Sequence, residues 1–202
     1  MKTKLLLTLI ASLSSAALFA ADSPPVGSAA PDISVTDSKG KTQTLSQYKG
    51  KYVVLEWFNP ECPFVKKHYG SGNMQKLQQE YTSKGVVWLT IDSSAPGLEG
   101  NLTPEQANAK STEWKTKQTA LLLDPDGKAG QAYGAKNTPH MFIVNPEGKI
   151  VYEGAIDSKA SPNAADIPNS TNYVKAALDE SLAGKPITTQ STRPYGCSVK
   201  YK

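Results

Sequence analysis

The sequence predicts an α/β fold in which a mixed central sheet carries helices on both faces. Two observations predict it: short apolar runs with strand character alternate with amphipathic helical stretches, and the chain then ends with a hairpin and a last helix. Alternating strands and helices favour parallel pairs, whereas a hairpin adds antiparallel strands, so the sheet must be mixed. The sequence has no internal repeats, and its length is typical of one domain.

The chain begins with a segment typical of a secretory signal. Lys2 and Lys4 precede an apolar stretch from Leu5 to Ile10, and small residues lead to a predicted cleavage after Ala20. The apolar run is too short and too interrupted by serines for a membrane span. We therefore expect removal of residues 1–20 and an exported protein without stable membrane insertion, periplasmic if the source is Gram-negative. Cysteines can persist as disulfides in that oxidising compartment.

Charge and motifs exclude several function classes. The formal net charge of +4 falls to about +2 without Lys2 and Lys4. Arg193 is the only arginine, and the lysines form no basic stripe with interleaved aromatic residues, so nucleic-acid binding is not expected. The sequence has no glycine-rich phosphate loop, serine elbow or HExxH zinc motif, and no cofactor is predicted.

Turn and cap signals define the elements of the first half. The turn at 37–41 separates two short alternating segments and predicts a hairpin. The nearly continuous apolar run from Tyr52 to Phe58 predicts a strand buried on both faces. A helix is expected after Cys62, with a break at 70–72 and a second helix that has Asn73 as its N-cap.

Strands and helices also alternate in the second half of the chain. Thr103 and Gln106 fit a capping box, and Pro104 suits the first position of a helix. The other predicted elements are strands at 86–92, 120–124, 141–145 and 150–154, a short helix that ends at 133–134, and a final helix at 172–183. Residues 21–184 would then form the domain, and residues 185–202 an extended appendage that carries Cys197.

Cys62 is the strongest candidate for chemistry. It follows an apolar strand and begins a helix, where unpaired N–H groups and the positive end of the helix dipole favour a thiolate. Val65 stands where a CxxC motif would have its second cysteine, so a resolving thiol must come from elsewhere. Cys197, the only other cysteine, could resolve Cys62 within the chain or across a homodimer, form a permanent disulfide with it, or act independently.

Three motifs together resemble a known family. They are Cys62-Pro63-Phe64-Val65-Lys66, Thr138-Pro139, and the ending Gly196-Cys197-Ser198-Val199-Lys200-Tyr201. With the predicted order of elements, they resemble the peroxiredoxin-like AhpC/TSA, or redoxin, branch of the thioredoxin fold. The resemblance covers about residues 26–201 and implies a thioredoxin-like three-layer fold with an N-terminal hairpin.

The resemblance also implies roles for particular residues. Pro139 corresponds to the cis-proline that faces the active cysteine, and the backbone of Thr138 would pair with an incoming chain. Glu56 corresponds to the buried acid of thioredoxins; desolvation would raise its pKa and let it relay a proton for Cys62. The alternatives are an ordinary trans proline and a glutamate that points to solvent.

The substrate is left open between a hydroperoxide and a protein disulfide, with an unidentified thiol as reductant. Peroxiredoxins have a proline seven residues and a hydroxyl residue three residues before the cysteine, whereas this chain has Leu55 and Asn59 there. Their peroxide-binding arginine has no counterpart near Cys62. Asn59 could replace the hydroxyl and Lys66 could supply positive charge; with Pro63 and Thr138 these residues are predicted to contact substrate.

A non-catalytic metal-binding protein is the alternative hypothesis. Cys62, His68 and His140 would be its ligands, because thiolate and imidazole suit Cu(I) or Zn(II). The spacing of the three residues matches no established metal motif. The competing interpretation is that His68 lies on the surface and His140 is hydrogen-bonded within the fold.

Overall fold

A computed structural model describes residues 22–202, so the predicted signal segment at 1–20 lies outside the described residues. The strands of these residues are β1 (Ser34–Asp37), β2 (Thr42–Thr44), β3 (Val53–Trp57), β4 (Val87–Asp92), β5 (Ala120–Leu123), β6 (Asn137–Thr138), β7 (His140–Val144), β8 (Ile150–Gly154) and β9 (Cys197–Ser198). They form a seven-stranded mixed sheet with the order β2-β1-β5-β4-β3-β7-β8, and a separate pair joins β6 to β9. Strands β3, β4 and β5 are parallel, and the other pairs are antiparallel.

Within the described part of the chain, five α-helices cover the sheet: α1 (Pro63–Gly70), α2 (Asn73–Ser83), α3 (Pro104–Glu113), α4 (Lys128–Ala132) and α5 (Tyr173–Leu182). The capping box of Thr103 and Gln106 is present at the start of α3, as predicted. The first residue of α2 is Asn73, and its N-cap is Gly72 at φ 76°, so the prediction that Asn73 caps this helix was wrong. The Asn73 side chain instead bonds His68 Nδ1 (2.9 Å).

Two apolar clusters hold the layers together, one on each face of the main sheet. Successive residues at β3 alternate between them: Val54 and Phe58 join one cluster, and Leu55 and Trp57 the other. The first cluster packs α1, α2 and α5 onto the sheet, and the second packs α4 and the N-terminal hairpin. Full burial of each large apolar side chain stabilises the fold by roughly 1.5–3 kcal/mol.

Sheet topology brings distant parts of the chain to one edge. The parallel strands β3 and β4 end there, and β7 runs the opposite way, so Trp57 lies beside His140. The turn that leads to Cys62 and the segment that precedes β7 therefore meet, although about eighty residues separate them. Within residues 22–202 no helix combines the length and apolarity needed to cross a membrane.

The C-terminal segment is extended, as predicted, but it is not a free appendage. Backbone bonds tie it to β8, where Glu153 N–H donates to Gln190 and Thr192 N–H donates to Glu153. Further on, β9 pairs with β6, and Ala95 N–H donates to the Lys200 carbonyl (2.8 Å). The segment thus crosses the edge of the sheet where Cys62 lies.

Candidate functional site

Cys62 is placed by the turn between β3 and α1. It is the N-cap of α1, with Pro63 at the first helical position, and its N–H donates to the Asn59 carbonyl (3.2 Å). Its carbonyl accepts from Lys66 N–H (2.9 Å), which closes the first turn of the helix. Cys62 is completely buried, at 0% exposure, so the described conformation hides its sulfur from solvent.

The segment opposite Cys62 has the predicted cis-proline. The Thr138–Pro139 peptide bond is cis, which confirms that prediction. The Thr138 carbonyl lies 3.2 Å from Cys62 Sγ and accepts a hydrogen bond from the thiol. Thr138 also pairs with Cys197 in the antiparallel β6·β9 ladder, so one residue contacts both cysteines.

Cys197 lies directly against Cys62. The two Sγ atoms are 2.6 Å apart, and both cysteines are free thiols. Cys62 is buried, whereas Cys197 is partly exposed. Cys197 of the same chain therefore reaches Cys62, so a disulfide between the two cysteines needs no second subunit.

The two thiols have different acidities. Burial disfavours a thiolate at Cys62, but hydrogen bonds from Cys197 Sγ and the Val65 N–H outweigh it and lower the pKa of Cys62 below its usual value. Burial, together with the adjacent Cys62, raises the pKa of Cys197 to about 12. The more acidic sulfur is thus Cys62, which is the better nucleophile near neutral pH and the better leaving group in a disulfide.

Ultraviolet titration of thiolate absorbance should resolve two macroscopic steps in the reduced protein. The first is expected below the ordinary cysteine value of 9.0, and the second near 12. The Cys197→Ser variant, whose hydroxyl donates a hydrogen bond in place of the thiol, should keep only the first step. Two thiols that ionise together near the ordinary value would contradict this assignment.

Glu56 is a fully buried acid, as predicted, on the strand that leads to Cys62. Burial raises its pKa, and hydrogen bonds from Trp88 Nε1 (2.8 Å), Tyr69 Oη (2.8 Å), Thr90 Oγ1 and Gln78 Nε2 only partly offset the effect. None of these hydrogen bonds reaches Cys62. The role of Glu56 as a proton relay stays a prediction, and it requires an intervening water molecule or side chain.

The residues predicted to contact substrate have structural partners of their own. Asn59 is buried; its Nδ2 donates to the Glu99 carbonyl (3.1 Å), and its Oδ1 accepts from Glu61 N–H (2.8 Å). Lys66 forms an exposed ion pair with Glu61 (2.9 Å), which contributes little to stability. Asn59 therefore shapes the turn before Cys62, and the charge of Lys66 is balanced locally.

Both histidines differ from their predicted surroundings. His68 is buried, not on the surface, with Nδ1 against Asn73 and Nε2 3.4 Å from Tyr195 Oη. His140 is buried against Phe142, and its ring nitrogens make no hydrogen bond within residues 22–202.

No group of three histidine, cysteine, aspartate or glutamate side chains in the described chain is arranged to hold a metal ion. The proposed metal site of Cys62, His68 and His140 is therefore not formed. His68 instead faces Asp157 (3.8 Å), and the neighbour of His140 is Glu153 (3.5 Å).

Sequence reasoning missed a buried polar cluster that anchors the tail. Tyr195 Oη donates to Asp157 Oδ1, and Lys67 Nζ donates to Asp157 Oδ2 (3.1 Å) and to the Lys159 carbonyl (2.9 Å). The Lys67 and Asp157 side chains are 0% and 1% exposed. The only signal in the sequence was a tyrosine two residues before Cys197; nothing local links it to residue 157.

Comparisons with known proteins find one family match and several named relatives. The model of the AhpC/TSA family matches residues 26–153. The chain is 30% identical over 156 residues to a protein named thiol-disulfide oxidoreductase ResA from Bacillus subtilis (strain 168), a match that covers 74% of this chain and 80% of that protein.

Two solved structures extend the comparison. A crystal structure described as an uncharacterized conserved protein from Geobacillus kaustophilus aligns with a TM-score of 0.76 at 27% identity, covering 88% of this chain and 93% of that one. The thioredoxin domain of a thiol-disulfide oxidoreductase from Bacteroides vulgatus aligns with a TM-score of 0.53 at 25% identity, covering 73% and 98%. The predicted thioredoxin-like α/β fold is confirmed.

Proposed function

Because this chain belongs to the AhpC/TSA family, and is thus a thiol-dependent oxidoreductase like its relatives, we propose that Cys62 and Cys197 are its redox couple and that protein disulfides are its substrates. The contact between the two Sγ atoms, 2.6 Å apart beside a cis-proline, carries the proposal. The names of the relatives support disulfide exchange as the reaction.

The reaction consists of two thiol-disulfide exchanges. The Cys62 thiolate attacks one sulfur of the substrate disulfide; a Cys62–substrate bond forms, the substrate S–S bond breaks, and the leaving sulfur takes a proton. Cys197, deprotonated as it attacks, then displaces the substrate from Cys62 and closes a Cys62–Cys197 disulfide. The substrate gains two electrons, and the protein loses two. A dithiol reductant restores both thiols, and the reverse sequence oxidises a substrate dithiol.

Peroxide reduction has weaker support. Oxidation of Cys62 to a sulfenic acid, followed by attack of Cys197 and loss of water, would give the same disulfide. However, the Asn59 amide is already bonded to Glu99 and Glu61, and the one arginine, Arg193, belongs to the tail. The site thus lacks the groups that hold a peroxide in the peroxiredoxins that the sequence resembles.

Stoichiometric oxidation of the reduced protein tests the proposed function. One equivalent of a protein disulfide such as that of insulin, added without oxygen, should yield one Cys62–Cys197 disulfide per substrate disulfide reduced, as mapped by mass spectrometry after alkylation. Hydrogen peroxide at equal concentration should react more slowly. Substrate reduction without the internal disulfide would remove Cys197 from the couple, and faster oxidation by peroxide would reverse the choice of substrate.

Export is the second part of the proposal. Its support is the basic start and short apolar run within residues 1–20, and an oxidising compartment suits a dithiol couple. Loss of this segment from protein recovered in the periplasm of a bacterial host, detected by N-terminal sequencing, is the expected result; retention of an uncleaved chain in the cytoplasm would contradict it.

A further inference from the structure

The tail strand, residues 195–201, lies in a groove as a bound peptide would. The pairing is antiparallel, with Cys197 beside Thr138, and Val199 N–H donates to the Lys136 carbonyl (3.1 Å). Asn137 Nδ2 adds a hydrogen bond to the Gly196 carbonyl (3.0 Å). Main-chain pairing of this kind accepts many sequences, so selectivity must come from the side-chain pockets.

The groove has an aromatic pocket on the N-terminal side of the cysteine. The Tyr195 ring packs edge-on against Phe64, with ring centroids 5.7 Å apart. Its hydroxyl donates to Asp157 and lies 3.4 Å from His68 Nε2. Because buried hydroxyl and carboxylate groups need partners, this pocket favours tyrosine over an aliphatic side chain two residues before the cysteine.

A second pair of contacts lies on the C-terminal side. Val199 packs against the apolar cluster that contains Trp57. Tyr201 Oη donates to the Ala135 carbonyl (2.8 Å), and its ring covers the surface above Gly130. The groove therefore takes an aliphatic residue two positions after the cysteine and an aromatic residue four positions after it.

The position before the cysteine accepts only glycine. Gly196 has φ 120°, a conformation that side chains disfavour, and a Cβ there would lie 2.1 Å from the Thr138 carbonyl oxygen. That oxygen belongs to the backbone of β6 and also accepts a hydrogen bond from the Cys62 thiol (3.2 Å), so it has little freedom to move away. Any strand that brings a cysteine to Cys62 in this way meets the same restriction.

We propose that this groove selects partner proteins by sequence, and that the tail strand occupies the place of an extended partner segment with the pattern Tyr-Gly-Cys-x-aliphatic-x-aromatic. The inference rests on the proposed function, because the partner cysteine would exchange with Cys62. Complete burial of Cys62 beneath the tail means that a partner must displace the tail strand before reaction.

Activated peptides test the inference on the full chain. The protein carries the Cys197→Ser substitution, so that Cys62 is its only thiol. The probe is a peptide of sequence STRPYGCSVKY whose cysteine is blocked as a disulfide with thionitrobenzoate. Attack by Cys62 forms a Cys62–peptide bond, breaks the bond to thionitrobenzoate and releases that thiolate, which is measured by its absorbance. A second peptide has alanine in place of the glycine.

Replacing the glycine before the cysteine with alanine should have opposite effects in the protein and in the peptide. Gly196→Ala in the protein expels the tail and should speed capture of the glycine peptide by about tenfold or more, equivalent to about 1.4 kcal/mol. Alanine in the peptide should slow capture by a similar factor, about tenfold. Gly70→Ala is the matched control, because a Cβ there meets nothing within 4 Å, and it should leave the rate unchanged.

The outcomes separate this inference from the proposed function. If Cys62 in the Gly196→Ala protein fails to react even with free dithiobis(nitrobenzoate), the proposed function itself is wrong. If it reacts with that reagent but captures both peptides at one rate, or if Gly196→Ala has no effect, groove recognition is wrong. A covalent dimer of the wild-type protein, joined from Cys62 to Cys197, would assign the groove to a second copy of this chain and overturn the partner proposal.

Discussion

Cys62→Ser should reduce disulfide exchange to the uncatalysed rate, whereas Cys197→Ser should stop the reaction after its first step. The physical reason is the difference in acidity: the pKa of Cys62 is lowered, and that of Cys197 is raised to about 12. Each pKa unit above the working pH costs about tenfold in thiolate. Because burial still disfavours the Cys197 thiolate after Cys62 is removed, we expect a loss of at least about 100-fold.

Insulin reduction by dithiothreitol measures the loss, and trapping identifies the step. In a separate reaction without dithiothreitol, which would itself cleave a mixed disulfide, Cys197→Ser should accumulate a Cys62–substrate disulfide that is visible by mass spectrometry, since no second thiol is adjacent to release it. Lys110→Ala is the control: its side chain pairs with Glu113 on the surface of α3 and contacts neither cysteine, so its rate should stay close to that of the wild type. Full activity in Cys62→Ser, or a trapped adduct on Cys197, would show that the assignments are reversed.

Local patterns were enough to predict the main sheet and its helices because most of these elements have a signal of their own. The alternation of Val54, Leu55 and Trp57 between two apolar clusters follows from a strand buried on both faces, and Thr103 forms the capping box that its spacing predicted. The prediction that Asn73 is the N-cap of α2 was wrong because Gly72, with φ 76°, is the N-cap. The Asn73 side chain is therefore free to form a hydrogen bond with His68.

The site was predictable only where it lies close to a motif. Cys62 at a helix start and the cis bond of Pro139 were expected from sequence and resemblance. Contact of Cys197 with Cys62 within the chain was one of several alternatives, and the sequence could not choose among them, because β6 and β9 are two residues long and pair across about sixty residues without any periodic pattern. The same holds for the Lys67–Asp157 pair, whose members are ninety residues apart; sequence alone gives no reason to bury either charge.

That buried pair gives the largest expected effect on stability. Lys67 and Asp157 are fully desolvated, and Lys67 Nζ has Asp157 Oδ2 and the Lys159 carbonyl as partners. Asp157→Asn keeps the shape of the side chain but leaves the Lys67 charge without a counter-charge, which should lower the free energy of unfolding by about 3–5 kcal/mol. Asp126→Asn, in the exposed pair with Lys128, is the matched control and should cost about 1 kcal/mol or less.

The pH dependence of this effect has a defined sign. Burial alone would raise the pKa of Asp157, but hydrogen bonds from Tyr195 and the Lys159 N–H, with the charges nearby, lower it below the ordinary 3.8. A carboxyl whose pKa is lowered in the folded state contributes stability above its unfolded pKa and loses it as pH falls through the folded value. The difference between wild type and Asp157→Asn in urea unfolding should therefore be constant near neutral pH and shrink below about pH 4.

A double variant separates the stability of the domain from the attachment of the tail. Lys67→Met with Asp157→Leu removes both charges and should recover most of the stability lost in Asp157→Asn, because apolar side chains can fill a buried site of this kind. It still leaves the Tyr195 hydroxyl without its acceptor, so the tail should be held less tightly and the Cys62–Cys197 disulfide should form more slowly on oxidation. If the double variant restored disulfide formation together with stability, Asp157 would contribute only to the stability of the domain. The hydrogen bond from Tyr195 to Asp157 would then have no part in placing Cys197.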